Sequence, residues 1–323
     1  LKDLIVVTGA AGMIGSGVVR CLNDRGYKRL LLIDDLKKND KWKNLVGKEF
    51  LNLVSRHRMF EALKEHESDI DAVIHLGACS DTVETDADYL LENNYHFSVR
   101  LAEWALTHNK RFIYASSAAT YGDGALGFSD DEESISQLKP LNMYAFSKQL
   151  VDLWMKREGG FKKAVGLKYF NVFGPNEYHK GRMASMVLKM MNKVKDDGII
   201  SLFQSNDPQY GDGDQCRDFI YVKDAVRMTC DLLEHRHVTG LLNIGLGVAT
   251  TWNQLSHALF QALGKPTNIE YIPLPPDLAR QYQNYTCADM KKFLKLLPQT
   301  RTTSVDAAVR EYVQEYLSLS ARW

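Results

Sequence analysis

Tyr144 and Lys148 stand four residues apart in the stretch YAFSK, the spacing that brings two side chains onto one face of a helix. A phenol beside an ammonium can work as an acid/base, because the positive charge favours the phenolate and lowers the tyrosine pKa. The pair is common by chance, so its weight comes from its neighbours. Upstream, ASSAATYG puts Ser116 and Ser117 at the end of an apolar run, where either hydroxyl could hydrogen-bond a reacting oxygen. Near the start, TGAAGMIG spaces Gly9, Gly12 and Gly15 as GxxGxxG, after the apolar LIVVT and at the head of a helical pattern. Glycine allows the tight turn and lets backbone amides approach a pyrophosphate, while the helix N-terminus adds partial positive charge. Asp34 follows about 20 residues on, at the end of a second apolar run, where a carboxylate accepts hydrogen bonds from an adenosine ribose. A glycine-rich structural turn is the bland alternative, and the strand before and helix after argue against it.

The choice of dinucleotide stays open at this level. Asp34 disfavours a 2′-phosphate, yet the basic run Lys37, Lys38, Lys41 and Lys43 that follows could hold one, unless it is simply a solvated charge run. Other polar residues carry blander readings. His75 ends an apolar run and reads as a packed core histidine, His179 as a surface residue and Cys79 as packing. Asp86, Asp88 and the run Asp130–Glu133 read as solvated or helix-capping charge.

These groups need a scaffold. The runs Leu4–Thr8, Leu30–Asp34, Ala72–Ala78, Arg111–Ala118 and Ala164–Gly174 read as short buried strands. Helical periodicity covers Ile14–Asp24 and Tyr89–His108 between them. That alternation predicts an α/β fold, a doubly wound parallel sheet covered on both faces. The second half is less regular: helices over Met183–Val194, Thr251–Ala262 and Ser304–Leu319, strands over Asp218–Val222 and Leu241–Ile244, and a polar loop over Ser205–Gln215. With no repeat or linker, two lobes sharing one core are expected.

The composition sets outer limits. The chain has 323 residues, 45% hydrophobic and 25% charged, with 40 basic and 40 acidic side chains, which suits a globular enzyme and gives no general attraction to nucleic acid or membrane. No apolar run reaches the roughly 20 residues of a membrane span, and LKDLIVVTGAAG runs into strand and turn without the look of a signal peptide. The five cysteines are scattered without a CxxC pair, so reduced thiols, a cytoplasmic location and no metal site are expected.

The chain resembles the extended short-chain dehydrogenases of the NAD-dependent epimerase/dehydratase family, and within them the ADP-L-glycero-D-manno-heptose 6-epimerases. HLGACSDT, ENNY, YASSAATYG, PLNMYAFSK, YFNVFGPNEYHKGRMAS, RDFIYVKD and RQYQNYTCADM carry the resemblance, which runs through nearly all the chain. The most particular stretch is GPNEYHKGRMAS. The resemblance implies a Rossmann domain over 1–170 with a returning segment about 218–245, and a smaller substrate-binding domain over 171–217 and 246–323. It implies NADP, with NAD tolerated. The cofactor contacts it implies are Gly9, Gly12, Met13, Ile14, Gly15, Asp34, Asp35, Lys41, Arg56, Leu76, Gly77, Ala78, Cys79, Ser80, Asn93, Tyr144, Lys148, Val172 and Lys180.

The implied reaction removes hydride from C6″ of ADP-D-glycero-D-manno-heptose and returns it to the other face of a bound ketone, supplying heptose for lipopolysaccharide core. Tyr144 would exchange the hydroxyl proton, Lys148 position the nicotinamide ribose and Ser117 or Ser116 orient the substrate. Lys180 would be the second acid/base that a two-faced ketone needs, since desolvation lowers a lysine pKa. Substrate contacts would come from Ser117, Asn171, Arg182, Lys189, Phe203, Gln204, Ser205, Asn206, Arg217 and Tyr282. A guanidinium at Arg217 could clamp diphosphate, or pair with Asp218 or Asp224. Related enzymes form homo-oligomers, commonly pentamers. The sequence departs from the group at Arg182, where serine is usual, at Lys189, where histidine is usual, at Leu76, where an acid is usual, and in its longer 205–215 loop. A UDP-hexose 4-epimerase, a dehydratase and a non-catalytic NADP-binding protein are the competing readings. The stretch SSAAT lacks the Asp-Glu pair of a 4,6-dehydratase.

Overall fold

The apolar runs pair with one another, and the amphipathic stretches between them cover the result. The computed structural model describes residues 4–279 and 282–323. In chain order its strands are β1 (Leu4–Thr8), β2 (Leu30–Ile33), β3 (Asn52–Val54), β4 (Ile70–His75), β5 (Arg111–Ser117), β6 (Ala164–Tyr169), β7 (Asn171–Phe173), β8 (Ile200–Phe203), β9 (Cys216–Tyr221), β10 (Gly240–Ile244), β11 (Ala249–Thr251) and β12 (Ile269–Ile272). Seven form one sheet in the order β10-β6-β5-β4-β1-β2-β3, with every neighbouring pair parallel. All residues of β1, β2, β6 and β10 are buried, so their side chains alternate between two cores rather than between core and solvent. Leu4 and Val6 join a cluster with helices Met59–Glu65, Phe97–Thr107 and Met143–Arg157. Ile5 and Val7 join the other, with helices Met13–Asp24 and Val222–Glu234.

From β1 the chain runs outward to β2 and β3, then returns to the other side of β1 and proceeds through β4, β5 and β6. The reversal lies between β1 and β4, where the carboxyl ends of a doubly wound sheet leave a crevice. The glycine turn follows β1, Leu76–Ser80 follow β4 and the serines end β5. Across the crevice stand a three-stranded sheet, β11-β9-β7, and the parallel pair β12-β8. Among the described residues no helix is long and apolar enough to cross a membrane.

Four expectations change. Ala164–Gly174 is not one strand: Phe170 N donates to Ile244 O at 3.0 Å, Val172 N to Phe170 O at 2.9 Å, and β7 leaves to pair with β9. The break carries the chain over the crevice. The helix expected over Tyr89–His108 contains a π turn, Leu91–His96, which helps turn Asn94 fully inward. A similar turn, Tyr312–Leu317, ends the helix expected over Ser304–Leu319. Asp130 is also not solvated: it is 4% exposed and accepts from Asn243 N at 2.9 Å, which stitches a loop onto β10.

Candidate active site

Gly9 turns the chain after β1 at φ 66°, and a Cβ there would stand 2.7 Å from Gly77 N. A Cβ on Gly15 would stand 2.0 Å from Gly9 O, so only hydrogen fits at either place. Gly12 precedes helix Met13–Asp24, whose N-terminus has no side-chain cap and no acid in its first turn. That leaves amides and dipole for an anion. Thr8 Oγ1 accepts from Gly77 N at 3.0 Å and meets His75 Nδ1 at 2.6 Å, while His75 Nε2 meets Ser98 Oγ at 2.8 Å. Burial, with help from Lys148, pushes His75 down to about 3, so it is a neutral core histidine that braces this turn.

One Asp34 oxygen accepts from Ala11 N at 2.8 Å and the other from Lys41 Nζ at 2.6 Å. Asp35 accepts from Arg56 N at 3.0 Å and pairs with its Nε at 2.9 Å, and Arg56 reaches the Asn93 side chain. Lys37, Lys41, Arg56 and Asn93 line the outer end of the crevice. Met13, Ile14, Leu76, Ala78, Ser80 and Val172 line its main groove, whose empty volume is ≈ 1360 Å³. The cradle that a Cβ would fill, the uncapped helix and the acidic residue beyond it fit a dinucleotide. Cys79 adds its backbone: its N and O pair with the inward Asn94 side chain at 2.8 and 3.0 Å, and Asn94 also donates to Ser147 Oγ at 3.1 Å. His179 is not on the surface as expected. It lines the groove half-buried, and burial with the nearby Lys41 and Lys180 lowers it to about 4.

The Asn142 side chain accepts from Ala145 N at 2.8 Å and so starts helix Met143–Arg157. Tyr144 and Lys148, one turn apart, both line the groove. Lys148 is 4% exposed and donates to Ala115 O at 2.8 Å; burial lowers it to about 8, against the opposing Asp152 carboxylate. The sequence predicts a lowered tyrosine, but burial raises Tyr144, with the Ser117 hydroxyl pulling the other way. The ammonium is turned to a carbonyl, so desolvation wins. Ser116 and Ser117 point oppositely, as strand neighbours do: Ser116 Oγ donates to buried Asp152 at 2.7 Å, which leaves Ser117 beside Tyr144.

Residues 171–185 bridge the two sides. Asn176 donates to Ser16 Oγ at 3.0 Å on the glycine helix, and Asn44 donates to both Asn176 O and Ala11 O at 3.0 Å. Glu177, fully buried, accepts from Ser185 N at 2.5 Å, Ser185 Oγ at 2.6 Å and Tyr312 OH at 2.9 Å. The turn Tyr178–Met183 is thereby anchored at both ends. Lys180 lies on it, with its pKa lowered by burial and by Lys189, against Glu177. Ser117, Tyr144 and Lys180 line both the dinucleotide groove and an adjoining cavity of empty volume ≈ 1040 Å³. Burial thus raises the Tyr144 phenol and lowers the Lys180 ammonium, two proton-exchanging groups on one space.

The remaining predicted contacts sort unevenly. Asn171 is exposed on the rim of that cavity. Arg182 is exposed and paired with Asp81, with Nε at 3.0 Å, rather than directed inward. Lys189 is exposed and bears on the site through its charge on Lys180. Arg217 is 8% exposed, with its guanidinium 5.6 Å from the Trp252 ring and 5.3 Å from the Tyr282 ring. Neither suggested carboxylate pairs with it: Asp218 accepts from the amides of Leu246, Gly247 and Ala288, and Asp224 holds Arg227. Phe203 packs edge-on to Tyr282 at 6.1 Å. Gln204 N and Ser205 N are tied to Ile272 O and Asp212 Oδ1, both at 2.8 Å, and Asn206 is exposed. Sequence reasoning missed Trp252, Asn94, Glu177 and Asp152. Only Asp152 carries a simple signal, one further helical turn beyond Lys148.

Known proteins match this chain. The NAD dependent epimerase/dehydratase family matches residues 5–245. An ADP-L-glycero-D-manno-heptose-6-epimerase of Nitratidesulfovibrio vulgaris is 47% identical over 98% of both chains. One of Fusobacterium nucleatum is 43% identical, again over 98% of both. Among solved structures, the Helicobacter pylori ADP-L-glycero-D-manno-heptose-6-epimerase superposes with TM-score 0.82 at 25% identity, covering 97% of this chain and 96% of that one. A UDP-N-acetylglucosamine 4-epimerase of Methanobrevibacter ruminantium reaches the same TM-score at 26% identity, covering 98% and 99%. With its glycine cradle, its Tyr144–Lys148 pair and these relatives, the chain belongs to the NAD dependent epimerase/dehydratase family.

Proposed function

We infer that this protein interconverts ADP-D-glycero-β-D-manno-heptose and ADP-L-glycero-β-D-manno-heptose by inverting C6″. The observation that carries the reading is the shared space between Tyr144 and Lys180, two proton-exchanging groups that reach one cavity from different elements. A bound nicotinamide dinucleotide supplies the hydride acceptor and donor. The protein's part is proton transfer and geometry. One group removes the C6″ hydroxyl proton as the ketone forms, and the other delivers a proton after the carbon presents its second face. Ser117 orients the oxygen, and Arg217, which pairs with no carboxylate among the described residues, suits the diphosphate.

The dinucleotide we assign is NADP. Asp34, the residue that would repel a 2′-phosphate, has its charge taken up by Lys41 and the Ala11 amide, and Lys37 stands on the same wall. In this reading residues 1–170 with 218–245 bind the dinucleotide, and 171–217 with 246–323 bind the sugar nucleotide in a homo-oligomer. A UDP-hexose 4-epimerase shares the fold equally well, but the 47% identity lies with the heptose enzymes. The test is to denature the purified protein, identify the released dinucleotide, and assay the same preparation on ADP-D-glycero-D-manno-heptose and on UDP-glucose. Heptose epimerisation with NADP is expected. Turnover of UDP-glucose alone would remove the assignment.

A further inference from the structure

Behind the acid/base pair lies a buried polar cluster that the reaction as described does not use. Asp152 is fully buried on the helix of Tyr144 and Lys148, one turn beyond the lysine. Its carboxylate accepts from Tyr114 OH at 2.7 Å and Ser116 Oγ at 2.7 Å, both on β5, and from Lys168 Nζ at 2.9 Å on β6. Lys168, also fully buried, reaches Thr120 Oγ1, which donates to Ser117 O at 2.8 Å. The helix that carries Tyr144 and Lys148 and the strand that carries Ser117 therefore meet at one anion.

We propose that Asp152 is a positioning residue for the reaction: it sets the catalytic helix against the serine strand and stands one helical turn from Lys148 as that lysine's counter-charge behind the dinucleotide groove. Stability alone is a weak reason for the cluster, because a buried ion pair is often no better than a well-packed apolar replacement. The titratable groups that bear on Lys148 are Asp152 on its own helix, Cys79 in the loop after β4, His75 on β4 and, through Asp152, Lys168 on β6, while Tyr144 shares the groove wall with it. Burial opposes the ammonium, Asp152 is the larger of the two groups that support it, and Cys79 is the other. The proposal rests on the reading that Lys148 meets the dinucleotide.

The test uses dinucleotide affinity against pH, measured by titration of the stripped full-length protein, beside the kcat/KM profile on ADP-heptose. Asp152→Asn with Lys168→Met removes both buried charges together and leaves neither unpaired. Because Lys148 stands near 8, its ammonium is lost as pH rises through that value. The pair bears on Lys148 through its carboxylate rather than through Lys168, so losing both charges lowers the lysine further on balance, and the alkaline fall in dinucleotide affinity should move down by up to about 1 pH unit. Tyr114→Phe keeps both charges and removes one donor dipole from the carboxylate, so the same limb should move upward, which keeps the idea testable if the double variant does not fold. Limbs that stay in place, with only thermal stability lowered, would reduce Asp152 to a structural residue and overturn the proposal. A wild-type protein that binds the dinucleotide but never turns over ADP-heptose would sink the functional reading and leave this one standing.

Discussion

At the scale of residues, the local relation between Tyr144 and Lys148 is legible in sequence because four residues on a helix fix it. Their charge states are not, because burial decides them. The expected lysine-lowered tyrosine gives way to a desolvated phenol and a lysine bound to the Ala115 carbonyl. Lys180 shows the complement: burial lowers its pKa from the usual lysine range. Tyr144→Phe and Lys180→Met should each lower kcat for heptose epimerisation by about 10²–10⁴-fold. Retained dinucleotide in both purified variants would assign the loss to proton transfer. Near-normal turnover by Lys180→Met would leave Tyr144 as the sole acid/base.

At the scale of elements, the glycine turn and the Tyr178–Met183 turn do opposite kinds of work. The first is a steric cradle. Gly15→Ala puts a methyl 2.0 Å from Gly9 O, so the turn must open, and the protein should purify without dinucleotide, with absorbance of the released cofactor as the readout. The second is tied to the loop after β4 by the exposed pair Arg182–Asp81. Such pairs contribute at most about 1 kcal/mol and weaken with salt. Arg182→Ser should therefore raise KM for the sugar nucleotide by no more than about fivefold, leave kcat unchanged, and differ less from wild type at high salt. A large fall in kcat would instead make Arg182 part of the chemistry. The break between β6 and β7 is the element that sequence hides, because FNVF has the apolar pattern of a continuing strand.

At the scale of the molecule, two cores on the faces of one sheet carry the stability, and the Lys168–Asp152 pair crosses between sheet and helix with both side chains almost wholly enclosed. Lys168→Met alone would leave Asp152 buried without its cation, and should cost roughly 3–5 kcal/mol in a urea titration. The double variant with Asp152→Asn should recover most of that. If the single and double variants melt alike, the pair is not coupled as its geometry implies.

The sequence by itself determined what is local or periodic: the buried parallel strands, the GxxGxxG turn, the YxxxK face and the family resemblance carried by GPNEYHKGRMAS. Tertiary structure alone decided which serine faces Tyr144, that Arg217 lies between Trp252 and Tyr282 rather than against Asp218 or Asp224, that Arg182 turns outward to Asp81, and that Asn94 and Asp152 brace the site. The reason is physical. Backbone periodicity is written in neighbouring residues, whereas desolvation and ion pairing depend on groups tens or hundreds of residues apart that meet only when the sheet and its helices have closed.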